Sequence, residues 1–409
     1  MREMKDSGIS WVGEIPTNWT IGRIGGLYSL RNQKVSDKDY EPLSVTMKGV
    51  LPQLETAAKT NDGDNRKLVR KGDFAINSRS DRRGSCGIAD RDGSVSLINT
   101  ILKPRNQMNA RYYNWLFHTP MFADEFYKWG HGIVDDLWST NWEEMKKIQI
   151  PIPSCVEQQR IADFLDRECG KIDGLKADIQ AQIDTLEQYK RSVITEAVTH
   201  GLNPSAQMKD SGIPWVGEIP EYWKVGRIGG LYELRNQKVS DKDFMPLSVT
   251  MKGILPQLET AAKTNDGDNR KLVRVGDFAI NSRSDRRGSC GISDYDGSVS
   301  LINTILKPRN RMNAKYYNWL FHTPMFADEF YKWGHGIVDD LWTTNWSEMK
   351  RISIPLPPLD EQQEIADYLD NKCAEIEQII ADKKSQIETL DGYKKSLIYE
   401  YVTGKKEVV

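Results

Sequence analysis

Two hydrophobic patterns alternate along the chain. Over the first 155 residues, short apolar or alternating runs stand between turn signals. "PLSVTMKGVL" (42–51), "DFAINS" (73–78) and "GSVSLINTIL" (93–102) are separated by "NDGD" (61–64) and "DRDG" (90–93), which predicts strands and tight turns. From Asn109 the string "NARYYNWLFHTPMFADEFYKWG" takes on helical spacing, interrupted near Pro120, and "IQIPIP" (148–153) closes the segment with prolines that end regular structure. The pattern then changes. Leu165, Ile172, Leu175, Ile179, Leu186, Tyr189 and Val193 recur at the three-and-four spacing of a coiled-coil seam, preceded by Ser154 and Glu157 in the spacing of a capping box. Gly170 and Gly174 weaken the start of that helix by roughly 1 kcal/mol each relative to alanine.

The whole arrangement is then written again 204 positions later. Residues 23–151 and 227–355 differ at 13 of 129 positions, whereas 156–200 and 360–404 share only 23 of 45. The second copy closes with "ISIPLPP" and offers Asp360 as helix cap and Leu369, Ile376, Ile379, Leu390, Tyr393 and Leu397 as seam. Two copies of about 200 residues predict a pseudo-twofold molecule rather than a solenoid. The expected domains are a first lobe (1–155), a helix (156–200), a linker (201–207), a second lobe (208–359), a second helix (360–404) and a tail (405–409). The fold class is α+β, with two mixed α/β lobes joined by two long antiparallel coiled-coil helices that pair through Leu165, Ile172, Leu186 and Tyr189 against Leu369, Ile376, Leu390 and Tyr393. Helices of this length would span roughly 60 Å, a distance that suits two grips on duplex DNA and is far too long for a small molecule.

Charge refines that picture. The net value is −2, yet residues 1–155 carry 22 Lys and Arg against 19 Asp and Glu, while 360–404 carry 5 against 11. Mildly basic lobes alternate with acidic helices, and it is the distribution that sets the field at a binding face. No apolar run approaches the roughly 18 residues of a membrane span. Five cysteines, widely spaced and without a C-x-x-C pair, predict reduced thiols in the cytoplasm and neither disulfides nor a zinc site.

Catalytic signatures are missing. There is no phosphate loop, no dinucleotide fingerprint in "GRIGGLY", no adenine-methyltransferase [ND]-P-P-[YF] string, and no H-E-x-x-H spacing. "DEFYK" (124–128) has the residue types of a metal nuclease but sits among aromatics with the spacing of a core. The chain is expected to bind rather than catalyse, with no metal and no cofactor of its own.

Positive charge concentrates in three strings per lobe: Lys48; Arg66, Lys67 and Arg70; and "NSRSDRRGS" (77–85) with Arg79, Arg82 and Arg83. The last follows a strand and precedes a glycine, so it is expected to form an exposed loop. An arginine fork can bond guanine O6 and N7 together or grip phosphate, and Asn77, Ser78 and Ser80 add donors. The candidate DNA-binding set is therefore Lys48, Arg66, Lys67, Asn77, Arg79, Ser80, Arg82 and Arg83, with Lys252, Arg270, Lys271, Asn281, Arg283, Ser284, Arg286 and Arg287 in the second copy. Trp129, His131 and Trp138 are candidates for stacking on bases.

"KDSGISWVGEIPTNW" (5–19) and "KDSGIPWVGEIPEYW" (209–223), together with "IPIPSCVEQQRIADFLD" (150–166) and "IPLPPLDEQQEIADYLD" (354–370), resemble the specificity subunit of type I restriction–modification systems over essentially the whole chain. The resemblance implies that each lobe is a target recognition domain reading one half of a bipartite site in double-stranded DNA. It implies that the helices form the spacer and dock two modification subunits, which bind S-adenosylmethionine and flip an adenine for N6 methylation, and that ATP-using restriction subunits join them. Near-identical lobes lead us to expect equal half-sites in inverted orientation, an interrupted palindrome. A stand-alone DNA-binding regulator of an inverted repeat and a coiled-coil protein scaffold are the competing readings.

Overall fold

The computed structural model describes residues 2–54, 62–105, 108–132, 138–258, 266–309, 312–336 and 342–408. The chain divides into two compact units, one of residues 1–180 with 384–409, the other of residues 181–383. Each unit holds one lobe, the first half of the long helix that follows it, and the second half of the other long helix.

In the first lobe, Thr20–Arg23 pairs antiparallel with Gln149–Ile152, so the start and the end of the segment lie side by side. Between them a four-stranded antiparallel sheet has the order Cys86–Ile88, Phe74–Asn77, Asn99–Pro104, Tyr28–Arg31. A three-stranded sheet, Gly93–Val95, Arg66–Val69 and Lys34–Val35, a hairpin, Leu43–Thr46 with Gly49–Pro52, and an antiparallel pair, Met4–Asp6 with Glu14–Pro16, complete it. Two short helices, Ala110–Phe117 and Pro120–Lys128, form because each has a side-chain cap. Asn109 accepts from the Tyr112 N–H and Thr119 from that of Phe122, with Pro120 set at a helix start, where its missing donor costs nothing. Their aromatic faces meet the sheet. Phe74 and Phe117 lie 5.1 Å apart and Phe117 and Phe122 4.4 Å, all fully buried. The second lobe repeats these elements, with Phe278, Phe321 and Phe326 in the equivalent core.

The long helices run from Cys155 to His200 and from Leu359 to Val402. Ser154 Oγ accepts from the Glu157 N–H at 3.3 Å, but the Glu157 carboxylate does not complete the capping box. It accepts instead from Trp19 Nε1 at 2.9 Å, joining helix start to lobe. In the second copy Asp360 is not the cap, because the helix already begins at Leu359 and the Gln362 N–H bonds the Pro358 carbonyl. Glu361 makes the equivalent bond to Trp223 Nε1 at 2.8 Å. Each helix ends in a glycine with φ near +75°, Gly201 or Gly404, a conformation that a side chain would strain.

Those ends finish the cores of the lobes. In the first unit Leu397, Ile398 and Val402 join Ile15 and Trp19 in one buried cluster, and Tyr112 Oη donates to the Val402 carbonyl at 2.8 Å. In the second, Val193, Ala197 and Val198 join Ile219 and Trp223, and Tyr316 Oη donates to the Val198 carbonyl at 2.8 Å.

Within each unit the two helix halves run antiparallel. Leu165, Ile172, Leu369 and Ile376 are buried and Leu186 and Leu390 half-buried, as expected of a seam. Tyr189 and Tyr393 are not in it: they are 49% and 57% exposed, and Leu175 and Ile379 are also exposed. The seam passes instead through Cys169, Ile172, Lys176, Ile179, Ile183, Leu186, Lys190 and Val193, all buried or half-buried. Lysine fits there because its stem packs while its ammonium reaches a carboxylate on the neighbouring helix. In the first unit Lys176 pairs with Asp391 and Lys394 with Asp173 at 2.6 Å; in the second Lys190 pairs with Glu377.

Tyr112→Phe and Tyr316→Phe each strand a buried helix-terminal carbonyl. Each is expected to cost about 1–2 kcal/mol of stability, read as a lower urea midpoint at unchanged slope.

Candidate nucleic-acid interface

The arginine loop grows out of the strand Phe74–Asn77, whose four side chains are all buried. After Asn77 the chain makes a single 3-10 turn, Ser80–Arg82, and returns as Cys86–Ile88. The turn is tied on three sides: the Ser78 N–H donates to the Ile98 carbonyl at 3.1 Å, the Ser80 N–H to that of Trp138 at 2.9 Å, and the Asn77 N–H to that of Ser85 at 2.8 Å. Tyr127 secures it from below, its hydroxyl 2.9 Å from the Asn77 carbonyl and 3.3 Å from that of Arg82. Tyr331 does the same in the second lobe. These bonds hold the loop at both of its strand ends and at Ser80 and Arg82.

Its three arginines stand differently. Arg79 is held bidentate by Asp81 at 3.0 and 3.2 Å. Arg83 pairs with Asp124 and lies 5.7 Å above the Tyr127 ring. Arg82 has only a 3.9 Å approach to Asp81, and its side chain is 68% exposed, as is that of Arg286. Exposed pairs of this kind are worth roughly 0–1 kcal/mol, so all three guanidinium groups can exchange a carboxylate for a nucleic-acid acceptor, Arg82 most readily. Arg283, Arg286 and Arg287 repeat the arrangement with Asp285 and Asp328.

Other candidates are placed elsewhere. Arg66 is 3% exposed, and Nε and a terminal nitrogen bond Ser94 Oγ and the Ser94 carbonyl, both at 2.9 Å; burial lowers its pKa. It clamps two strands, and Arg270 does likewise with Ser298 while lining the cleft that holds Arg286 and Arg287. The Lys67 ammonium donates to the Leu97 and Asn99 carbonyls at 2.8 and 2.7 Å, and burial lowers its pKa too. Lys271 bonds the Asn303 carbonyl at 2.7 Å. Asn77 and Asn281 are buried, and their side-chain oxygens accept from the Arg79 and Arg283 N–H groups, so they brace the loop. Ser80 Oγ is enclosed, whereas Ser284 lines a cleft with Arg287, Tyr331 and Trp342. Lys48 and Lys252 are exposed at hairpin tips. Trp138 is 37% exposed beside the loop; Trp129 is half-buried and donates to Glu125 at 2.9 Å, and His131 is exposed. Residues 133–137 of the same string lie outside the described ones.

The sequence reading missed Tyr127 and Asp124, both in "DEFYK". That string supplies positioning, with the hydroxyl and the carboxylate aimed at the loop. Its only sequence signal was an unchanged second copy. Among the described residues no group of three His, Cys, Asp or Glu side chains could hold a metal ion, and no helix is long and apolar enough to cross a membrane. All five cysteines are free thiols.

A lobe that offers a braced arginine loop, present twice, is a recognition module. Comparison with known proteins identifies its class. The type I restriction modification DNA specificity domain matches residues 16–185 and again 220–389. The chain belongs to that family. It is 26% identical to a putative type I restriction enzyme MjaX specificity subunit of Methanocaldococcus jannaschii, over 97% of this chain and 96% of the relative. It is 23% identical to the MjaVIII specificity subunit of the same organism, over 96% and 94%. The fold is shared with a chain solved in work on complex assembly and conformational transition of the type I restriction–modification system, at TM-score 0.72 and 13% identity, over 96% and 99% of the two chains. It is also shared with the HsdS subunit of Thermoanaerobacter tengcongensis, at TM-score 0.52 and 16% identity, over 96% and 98%.

The two kinds of arginine separate in a stability measurement. Arg66→Ala is expected to lower stability by about 1–3 kcal/mol, because Ser94 loses its buried partner, and Arg82→Ala to stay within about 0.5 kcal/mol of the parent. Thermal denaturation of the two variants side by side checks both.

Proposed function

We propose that this type I specificity chain reads a bipartite site in duplex DNA, one half-site per lobe, and performs no chemistry itself. Partner modification subunits bind S-adenosylmethionine and methylate adenine N6, and ATP-using restriction subunits act in the same assembly, in the cytoplasm. The observation that carries this reading is the loop Asn77–Ile88, unchanged as Asn281–Ile292 and braced by the same tyrosine hydroxyl in each unit. Duplication suits a target with two equal parts. An inverted relation between those parts follows if the lobes keep the twofold sense in which the helix halves pair.

Direct reading falls first to Arg82 and Arg286, the most exposed guanidinium groups of the loops, with Arg79 and Arg83 and their copies gripping phosphate or a second base edge. Trp138 and Trp342 stand beside the loops and are proposed to pack against the sugar or base that the arginine engages. Lys48 and Lys252 supply further phosphate contacts, which make binding fall with rising salt.

Methylome sequencing of a host carrying the system is expected to show adenine methylation in an interrupted palindrome; a motif with unlike halves would overturn the symmetric reading. Arg82→Ala or Arg286→Ala alone is expected to weaken binding to the methylated site by about 1–3 kcal/mol. The two variants should be equal within error on a palindromic duplex, measured as affinity of the complex with its modification subunits at fixed salt.

A further inference from the structure

Close to each arginine loop the surface carries aliphatic side chains that nothing in the fold requires to be outside. Met47 and Met251 are 72% and 71% exposed, among the most exposed large apolar side chains of the protein. Each sits at the tip of a hairpin, Leu43–Thr46 with Gly49–Pro52 and Leu247–Thr250 with Gly253–Pro256. The tip is fixed. Thr46 Oγ1 donates to the Gly49 carbonyl at 3.0 Å and accepts from the Lys48 N–H at 3.1 Å, and Gly49 takes φ +110° to close the turn. Leu43 and Val50 root the hairpin in a small core with Val69 and Val95. A methionine held outward on a rooted turn is displayed, since a side chain with three rotatable bonds gains nothing in water from a rigid base.

A second aliphatic pair stands nearby. Ile98 and Ile302 are 41% exposed in both lobes, on a turn whose backbone is tied to the arginine loop by the Ser78 and Ser282 N–H groups. In the second lobe Thr250, Met251 and Ile302 share one open cleft of about 620 Å³ with Arg286 and Arg287. A cleft built only to grip phosphates has no use for apolar walls. A wedge that unstacks base pairs enters from the minor groove, where thymine shows no methyl group. Apolar contact and arginine forks occur together where base edges are read in the major groove, because thymine presents a methyl group there beside the acceptors of its neighbours.

We propose that Met47 and Met251, seconded by Ile98 and Ile302, read the C5-methyl group of a thymine next to the base pair engaged by Arg82 or Arg286. This assignment rests on the DNA-reading function above and adds a sequence requirement to it: each half-site contains, besides the thymine paired with its methylated adenine, a thymine whose methyl group is recognised.

Deoxyuridine in place of thymine removes that methyl and nothing else. The complex with its modification subunits is titrated with duplexes of the methylated motif in which each thymine in turn is replaced by deoxyuridine. The parent complex is expected to lose about fourfold in affinity at one thymine per half-site, the factor for one methyl group taken out of water. In the Met47→Ala/Met251→Ala variant that loss should vanish at the same position, and an Ile98→Ala/Ile302→Ala variant should reduce it. Equal binding of all deoxyuridine duplexes by the parent, an undiminished loss in the methionine variant, or a motif whose only thymines pair with the methylated adenines overturns the proposal. So does strong 2-aminopurine fluorescence at the contacted step that disappears in the methionine variant, which would mark a wedge. If the parent complex fails to prefer the motif over a scrambled duplex, the DNA-reading function itself falls, and that result is distinct from the others.

Discussion

The structure depends on where the two long helices end. Neither lobe completes its core from its own segment. Trp19 and Ile15 are sealed by Leu397, Ile398 and Val402, and Trp223 and Ile219 by Val193, Ala197 and Val198. The last carbonyls of a helix have no partner within it, and Tyr112 and Tyr316 supply one from inside each lobe. A buried tyrosine hydroxyl usually takes such a bond. The same contact therefore satisfies the helix end, fills the lobe and fixes which helix belongs to which lobe. A lobe cut away from the helix end that caps it would expose a row of apolar side chains, so the compact unit is larger than the contiguous segment that looks like a domain in the sequence.

The arginine loop shows a second constraint, since three like charges on a short turn repel one another. Asp81 and Asp124 offset that repulsion without burying any of the charges. Because exposed pairs contribute little net stability, they can be released at small cost when DNA arrives. They also hold the guanidinium groups in a limited set of directions beforehand, which reduces the ordering entropy that binding must overcome. Tyr127 adds the backbone part of that preparation. The loop is organised from the inside by a hydroxyl and from the outside by carboxylates, with Arg82 left the most open.

The repeat, the lobe–helix order and the arginine loop were legible in the sequence because each depends on spacing or identity. The burial of Arg66 and Asn77 was not legible, since a letter does not state it. Arg66 lies in a strand with the same alternation as its neighbours, and only the pairing of that strand with Gly93–Val95 turns its side chain inward toward Ser94. The seam was misread at Tyr189 and Tyr393 for a related reason. A search for apolar letters passes over Lys176 and Lys190, although a lysine opposite a carboxylate on the next helix satisfies a seam position. Tyr127 was counted as core, which it is, but its hydroxyl makes it also the anchor of the loop.

The thirteen differences between the lobes point the same way. None falls in the arginine loop, in the two hairpin-tip residues or in the helix bearing Asp124 and Tyr127. Two of them preserve an ion pair: Lys147 pairs with Glu144 and its counterpart Arg351 with Glu348, and Arg111 and Lys315 both bind an acid on the following helix. Others remove or add one, since Arg91 with Glu41 and Glu143 with Lys146 have no counterpart at Tyr295, Met245 and Ser347, and Glu233 with Lys307 has none at Ser29. The helices have diverged in a different manner. Lys176 stands where the second copy has Ile380, and Ile179 where it has Lys383, so the lysine moves along the seam while the seam stays closed. Lys176 meets Asp391, and Lys383 meets Gln182 at 2.5 Å. Packing constrains a seam by complementarity between two unlike strands of sequence, which permits compensated drift. A reading face is constrained by a target outside the protein, and with two equal half-sites that constraint acts on both copies alike.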